Sequence, residues 1–118
     1  MLYFKPLRTE ENQKVFSGDI FQVRKSEIIV RQHIVFYGWV QGVGFRYRVR
    51  HAAGLYGVTG WVRNDPDDTV TMEIQGTQEL IDQVIMAIER GRFIRIEHMD
   101  VKNIPVIEEE RDFRTVGW

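Results

Sequence analysis

Glycines at 38, 42 and 44 separate a β-branched, aromatic run from a helical pattern, and no other junction constrains the chain as much. The run HIVFYGWV (33–40) suits a pleated surface and predicts a first strand. Beyond the glycines, Phe45, Val49, Ala52, Ala53 and Tyr56 recur at helical spacing, and Gly57 stands where a C-terminal cap belongs. A strand that passes through glycines into a helix aims backbone N–H groups and the positive helix end at one point, an arrangement that suits an anion. Glycine permits positive φ and lets a ligand approach the main chain. Arg46 opens the helix, where its guanidinium can clamp two phosphate oxygens at once. Taken alone, GWVQGVGFR (38–46) reads more readily as a simple turn, because short glycine patterns are common without a ligand. It is neither a Walker loop, since no Gly-Lys-Ser/Thr follows, nor a dinucleotide fingerprint, since the glycine spacing differs.

The remaining punctuation is regular. VTGWVRN (58–64) predicts a second strand, DPDD (65–68) a turn, and TVTMEIQ (69–75) a third strand. In that third strand Val70, Met72 and Ile74 share one face, and Thr71, Glu73 and Gln75 the other. A second helix is predicted from about Gln78 to Arg90, with Leu80, Ile81, Val84, Ile85 and Ile88 as its buried stripe, Thr77 as N-cap and Gly91 as stop. Residues 93–104 read as a fourth strand whose broken alternation suits a bulge, and FRTV (113–116) as a short last strand. The order β-α-β-β-α-β plus a tail strand predicts an α+β, ferredoxin-like split-βαβ sandwich. Its sheet is mostly antiparallel and carries both helices on one face. Residues 31–118 form this domain, and residues 1–30 an N-terminal extension without a sustained period. In the extension, Thr9 before Glu10 and Glu11 suits a helix cap, the stretch from Asp19 to Val30 suits an added strand, and a partly disordered arm fits equally well.

Composition narrows the chemistry. With 118 residues the chain fits one domain, and 16 basic against 17 acidic residues give a net charge of −1, which argues against a general polyanion binder. There is no Cys, so disulfides, thiolate nucleophiles, Cys-ligated metals and a cysteine-dependent phosphatase are excluded. His33, His51 and His98 are too scattered to suggest a metal site by spacing. No apolar run approaches the roughly 20 residues that cross a bilayer, and Lys5, Pro6, Arg8 and two Glu break any signal-peptide core in MLYFKPLRTEEN. The expectation is a cytoplasmic monomer with no metal, no cofactor, no nucleic-acid partner and no membrane.

A second constellation, GWVRN (60–64), closes the second strand on Asn64. An amide donates and accepts hydrogen bonds but is no base at neutral pH, and an Asn before Asp65-Pro66 is by itself an ordinary turn initiator. Together, GWVQGVGFR (38–46) and GWVRN (60–64), in this order and at this separation, resemble the acylphosphatase family over about residues 31–118. That resemblance implies hydrolysis of the carboxyl–phosphate bond of a small acyl phosphate, without metal or phospho-enzyme. Arg46 matches the family's phosphate-binding arginine, and Asn64 its water-orienting asparagine. Loop residues Gln41, Gly42, Val43, Gly44 and Phe45 complete the cradle on the same likeness. The residues fit independently, because neither motif offers a His beside a Ser or the carboxylate cluster that Mg²⁺ wants. Positioning and electrostatics are left, which suits phosphoryl transfer.

Two rivals stand beside this reading. A non-catalytic phosphate-binding module on the same fold needs the cradle but not Asn64. A base-stacking RNA-binding sheet lacks its basic-aromatic strand motif here. The chain departs from the family in reading Asp67-Asp68 where Asp-Gly is usual, which predicts an Asp in the left-handed conformation at a local cost. Elsewhere Arg48 and Arg50 read as solvated charges, and Trp39 and Trp61 as core or edge aromatics. Gly54 suggests close helix–sheet packing.

Overall fold

The computed structural model describes residues 28–117. The Thr9 cap and most of the strand expected from Asp19 lie outside them. Seven elements follow in order: β1 (Ile29–Trp39), α1 (Phe45–Tyr56), β2 (Thr59–Asn64), β3 (Val70–Thr77), α2 (Gln78–Glu89), β4 (Arg95–Ile104) and β5 (Phe113–Val116). They build one sheet of order β4-β1-β3-β2-β5. The β4–β1, β1–β3 and β3–β2 pairs are antiparallel, and only β5 joins in parallel, beside β2. This is the expected ferredoxin-like α+β sandwich with one strand added at the edge.

The core follows from the period-2 pattern of the strands. Ile34 and Phe36 of β1, Val62 of β2, and Val70, Met72 and Ile74 of β3 turn to the helical side. There they meet Val49, Ala52 and Ala53 of α1 and Ile81, Val84 and Ile88 of α2 in one buried cluster. Each large side chain of this kind contributes about 1.5–3 kcal/mol by leaving water. Thr77 caps α2 by accepting from the Leu80 N–H at 3.2 Å, as its position predicts. Gly54 does not pack against the sheet: it is exposed, and a Cβ there would meet nothing within 4 Å. Arg48 is not merely solvated either, because its Nε donates to the Ala87 carbonyl near the end of α2 at 3.1 Å. Trp39 is exposed and Trp61 half-buried.

Three features carry the site. The first is a bulge in β4, where Tyr37 faces His98 but Gly38 faces Ile96, leaving Glu97 as the extra residue. Gly38 has φ 128°, and a Cβ there would lie 2.2 Å from the Arg95 carbonyl oxygen, so only glycine passes this point. The second is β1 itself, which starts at Ile29, four residues before the expected strand. The expected run begins late because Arg31 and Gln32 read as polar punctuation, yet both are buried.

The third feature explains Arg31. β4 and β5 lie at opposite edges, so residues 105–112 must cross the open face of the sheet. Gln75 fastens this strap by donating from Nε2 to the Ile107 carbonyl and accepting from the Ile107 N–H, both at 2.8 Å. Arg31, 1% exposed, holds Glu73 at 3.1 Å and Glu110 of the strap at 2.7 Å. His33 shares Glu73 from its other oxygen at 2.8 Å.

Candidate active site

The loop between β1 and α1 is shaped by two left-handed glycines. Gly42 has φ 72° and Gly44 φ 81°, and a Cβ at either would meet nothing within 4 Å. Their need for glycine is therefore conformational, not steric. Gly44 is the N-cap of α1 and offers no side chain to cap it, and the first turn of α1 has no acidic residue. The first N–H groups of a helix have no intrahelical acceptor, and together with its positive end they suit an anion. Phe45 fixes the start of the helix by burying itself edge-on against Phe36, ring centroids 4.9 Å apart. Arg46 follows it, half-buried.

Asn64 arrives from a different direction. It ends β2, paired with Val70 of β3, just before the β2–β3 turn. Asp68 takes the left-handed conformation there, with φ 73°, as the Asp67-Asp68 sequence predicts. The turn is cross-braced: Asp65 Oδ2 accepts from Thr71 Oγ1 at 2.6 Å and Thr69 Oγ1 at 3.0 Å, and Oδ1 accepts from Arg63 Nε at 2.9 Å. Burial works against the Asp65 charge, but hydrogen bonds from Thr71, Arg63 and Thr69 outweigh it and hold its carboxyl below the ordinary value. Asp67 Oδ1 accepts from the Thr69 N–H at 3.2 Å, an Asx-type turn.

Loop and turn close around one small cavity. Val40, Gly42, Gly44, Phe45, Arg46, Tyr47 and Asn64 line a hollow of about 240 Å³. Of the residues singled out from sequence, Gly42, Gly44, Phe45, Arg46 and Asn64 therefore meet. Gln41 and Val43 do not line this hollow. The Val43 side chain packs against the core, and Gln41 donates from Nε2 to the carbonyl oxygens of Asp65 at 2.7 Å and Thr69 at 2.8 Å. That clamp, from the loop to the turn after Asn64, was not read from sequence. Only the Thr residues following Asp65 and Asp67 signalled that this turn is braced.

Two larger hollows each share one of Arg46 and Asn64 with the cavity. One, of about 420 Å³, shares Asn64 with it and is lined also by Gln41, Arg63, Asp65, Pro66 and Gly117. The other, of about 510 Å³, shares Arg46 and Tyr47 and is lined also by Arg50, His51 and Thr115. Among the described residues no group of three or more His, Cys, Asp or Glu is placed to hold a metal, and no helix is long and apolar enough to cross a membrane.

The chain is similar to known proteins over most of its described length. The acylphosphatase family model matches residues 32–115. An acylphosphatase of Bifidobacterium longum is 41% identical over 88 residues, 74% of this chain and 91% of its own length. One of Clostridium acetobutylicum is 40% identical over 87 residues, 73% of this chain and 96% of its own. Among solved structures, acylphosphatase from Bacillus subtilis superposes with a TM-score of 0.68 at 29% identity, covering 75% of this chain and 99% of that one.

Proposed function

We propose how this chain, which belongs to the acylphosphatase family and is an acylphosphatase, divides the work of hydrolysis between Arg46 and Asn64. The substrate is a small acyl phosphate. The observation that carries the division is the convergence of two left-handed glycines, the start of α1, Arg46 and Asn64 on one cavity of about 240 Å³.

The phosphoryl group sits over the start of α1. Loop and helix N–H groups and the Arg46 guanidinium take its oxygens, a bidentate clamp backed by the helix dipole. These charges are fixed before the reaction, so they stabilise the phosphoryl as negative charge shifts in the transition state without reorganising. Gln41 and Val43 serve the cradle through its backbone course, not through side chains in the cavity. Asn64, fixed at the end of β2, holds one water by accepting from it or donating to it, and points it at phosphorus opposite the leaving oxygen.

The water oxygen forms a bond to phosphorus while the bond from phosphorus to the acyl oxygen breaks. The leaving carboxylate keeps that electron pair. A phosphate oxygen accepts the water's proton, since Asn64 is not a base. The products are a carboxylate and inorganic phosphate, and Arg46 supplies the positive charge that a metal supplies elsewhere. Every group named belongs to one chain, so this division of work needs no second copy.

Hydrolysis in ¹⁸O-water tests the route. Attack at phosphorus puts the label into phosphate. Label in the carboxylate would mean attack at the carbonyl and would remove the role given to Asn64.

A further inference from the structure

The residues that neighbouring hollows share with the cradle bear on which acyl group the enzyme takes. In-line displacement puts the attacking water and the leaving oxygen on opposite sides of phosphorus. Asn64 lines the central cavity and the 420 Å³ hollow but not the 510 Å³ one. In the mechanism proposed above Asn64 marks the water side, and the hollow that Asn64 does not line but that shares Arg46 with the cradle is the one we take for the acyl group.

That groove has a distinct chemistry. Among the described residues its lining is Arg46, Tyr47, Arg50, His51 and Thr115, which brings two guanidinium groups to one groove in a chain whose net charge is −1. Arg46 and Arg50 lie four residues apart on α1, hence on one face and about 6 Å apart along the axis. Tyr47 and His51 repeat the same spacing, and their rings stack at 14° with centroids 6.2 Å apart, giving the groove a flat wall. On its other side Arg50 borders a hollow with Arg111 and Asp112, where the two cations still outnumber the one acid.

We propose that this groove is the acyl subsite and that it favours acyl phosphates whose acyl part carries a second carboxylate. The proposal rests on the assignment of the phosphoryl cradle above. With the phosphoryl on Arg46, a carboxylate about one helical turn away meets Arg50, and a flat or short acyl spacer lies along Tyr47 and His51. Thr115 of β5 closes the groove opposite α1.

The test compares 4-carboxybenzoyl phosphate with benzoyl phosphate, which differ by one distal carboxylate. The ratio of their kcat/KM values is measured for wild type, Arg50→Ala and Arg50→Lys, so that intrinsic reactivity cancels between proteins. The carboxylated acyl phosphate is preferred by wild type. The ratio falls about 3- to 10-fold in Arg50→Ala, the worth of one charge-assisted contact at a partly exposed site, with the change in KM. Arg50→Lys keeps part of the preference, and raising ionic strength shrinks it in wild type. A ratio that is the same in wild type and Arg50→Ala, or indifferent to salt, overturns the subsite while leaving the cradle intact. No turnover of either acyl phosphate by wild type overturns the cradle assignment and the subsite with it.

Discussion

Gln41 donates from Nε2 to the carbonyl oxygen of Asp65 at 2.7 Å, which joins the cradle loop to the residue that follows Asn64. The same nitrogen reaches the Thr69 carbonyl at 2.8 Å, so both amide hydrogens are spent on the β2–β3 turn. The loop that carries Gln41 precedes α1 and Asn64 ends β2, so this side chain bridges the two ends of the α1–β2 segment and, in the proposed mechanism, sets the distance from cradle to water holder. Gln41→Ala is expected to lower kcat for benzoyl phosphate about tenfold, since misplacements of about 1 Å are felt at this scale. Stability falls by about 1–3 kcal/mol as carbonyl partners are lost. Steady-state kinetics beside urea unfolding check both, and an unchanged kcat would deny the coupling.

Arg31 is a matter of stability. Removing it leaves Glu73 and Glu110 facing each other without their shared cation, under the strap that leads to β5. Arg31→Ala should destabilise the fold by about 3–5 kcal/mol, as for other buried pairs that lose one partner. Urea unfolding measures the change. A loss under about 1 kcal/mol would show that the strap holds without it.

The same network sets an acid limit. Burial opposes the Glu73 charge, but hydrogen bonds from His33 and Arg31 prevail and hold its carboxyl below the ordinary value. Asp65 is lowered in the same sense. A carboxyl depressed in the folded state stabilises it above the unfolded value, near about pH 4, and loses that contribution as pH falls through the folded value. The melting temperature should therefore be level through neutrality and drop below about pH 4, and Glu73→Gln should lessen the drop. Thermal melts across pH decide this, and a drop already begun at pH 6 would point to other groups.

Gly54 offers a stabilising change. It lies exposed inside α1 with open space where a Cβ would stand. Gly54→Ala should raise stability by about 0.5–1 kcal/mol through the helix and the unfolded chain. A thermal melt that shifts downward would contradict this account of the position.

Where local chemistry and tertiary structure agree, the sequence was legible. TVTMEIQ alternates because one face of β3 meets two helices, and Thr77 and Gly57 cap where their side chain or lack of one demands. Gly42, Gly44 and Arg46 could be singled out because turn conformation and anion chemistry act through residue type, whereas Asn64 stood out only through the resemblance carried by GWVRN (60–64). Arg31 and Gln41 could not. Each is polar, each looks like surface, and each acquires its task from partners 24 to 79 positions away. Gly54 misled for the opposite reason, because a glycine in a helix suggests a close neighbour that here does not exist.

The central claim is that Arg46 binds the phosphoryl group while Asn64 handles the water, and one experiment separates the two. Benzoyl phosphate hydrolysis is followed with EDTA present for wild type, Arg46→Ala and Asn64→Ala, with inhibition by inorganic phosphate measured in parallel. Wild type should turn over freely. Arg46→Ala should lose phosphate inhibition and about 10²–10³ in kcat/KM. Asn64→Ala should keep phosphate inhibition and lose about 10²-fold in kcat. An Asn64→Ala enzyme with wild-type kcat, or an Arg46→Ala enzyme that still binds phosphate as tightly, would contradict the account.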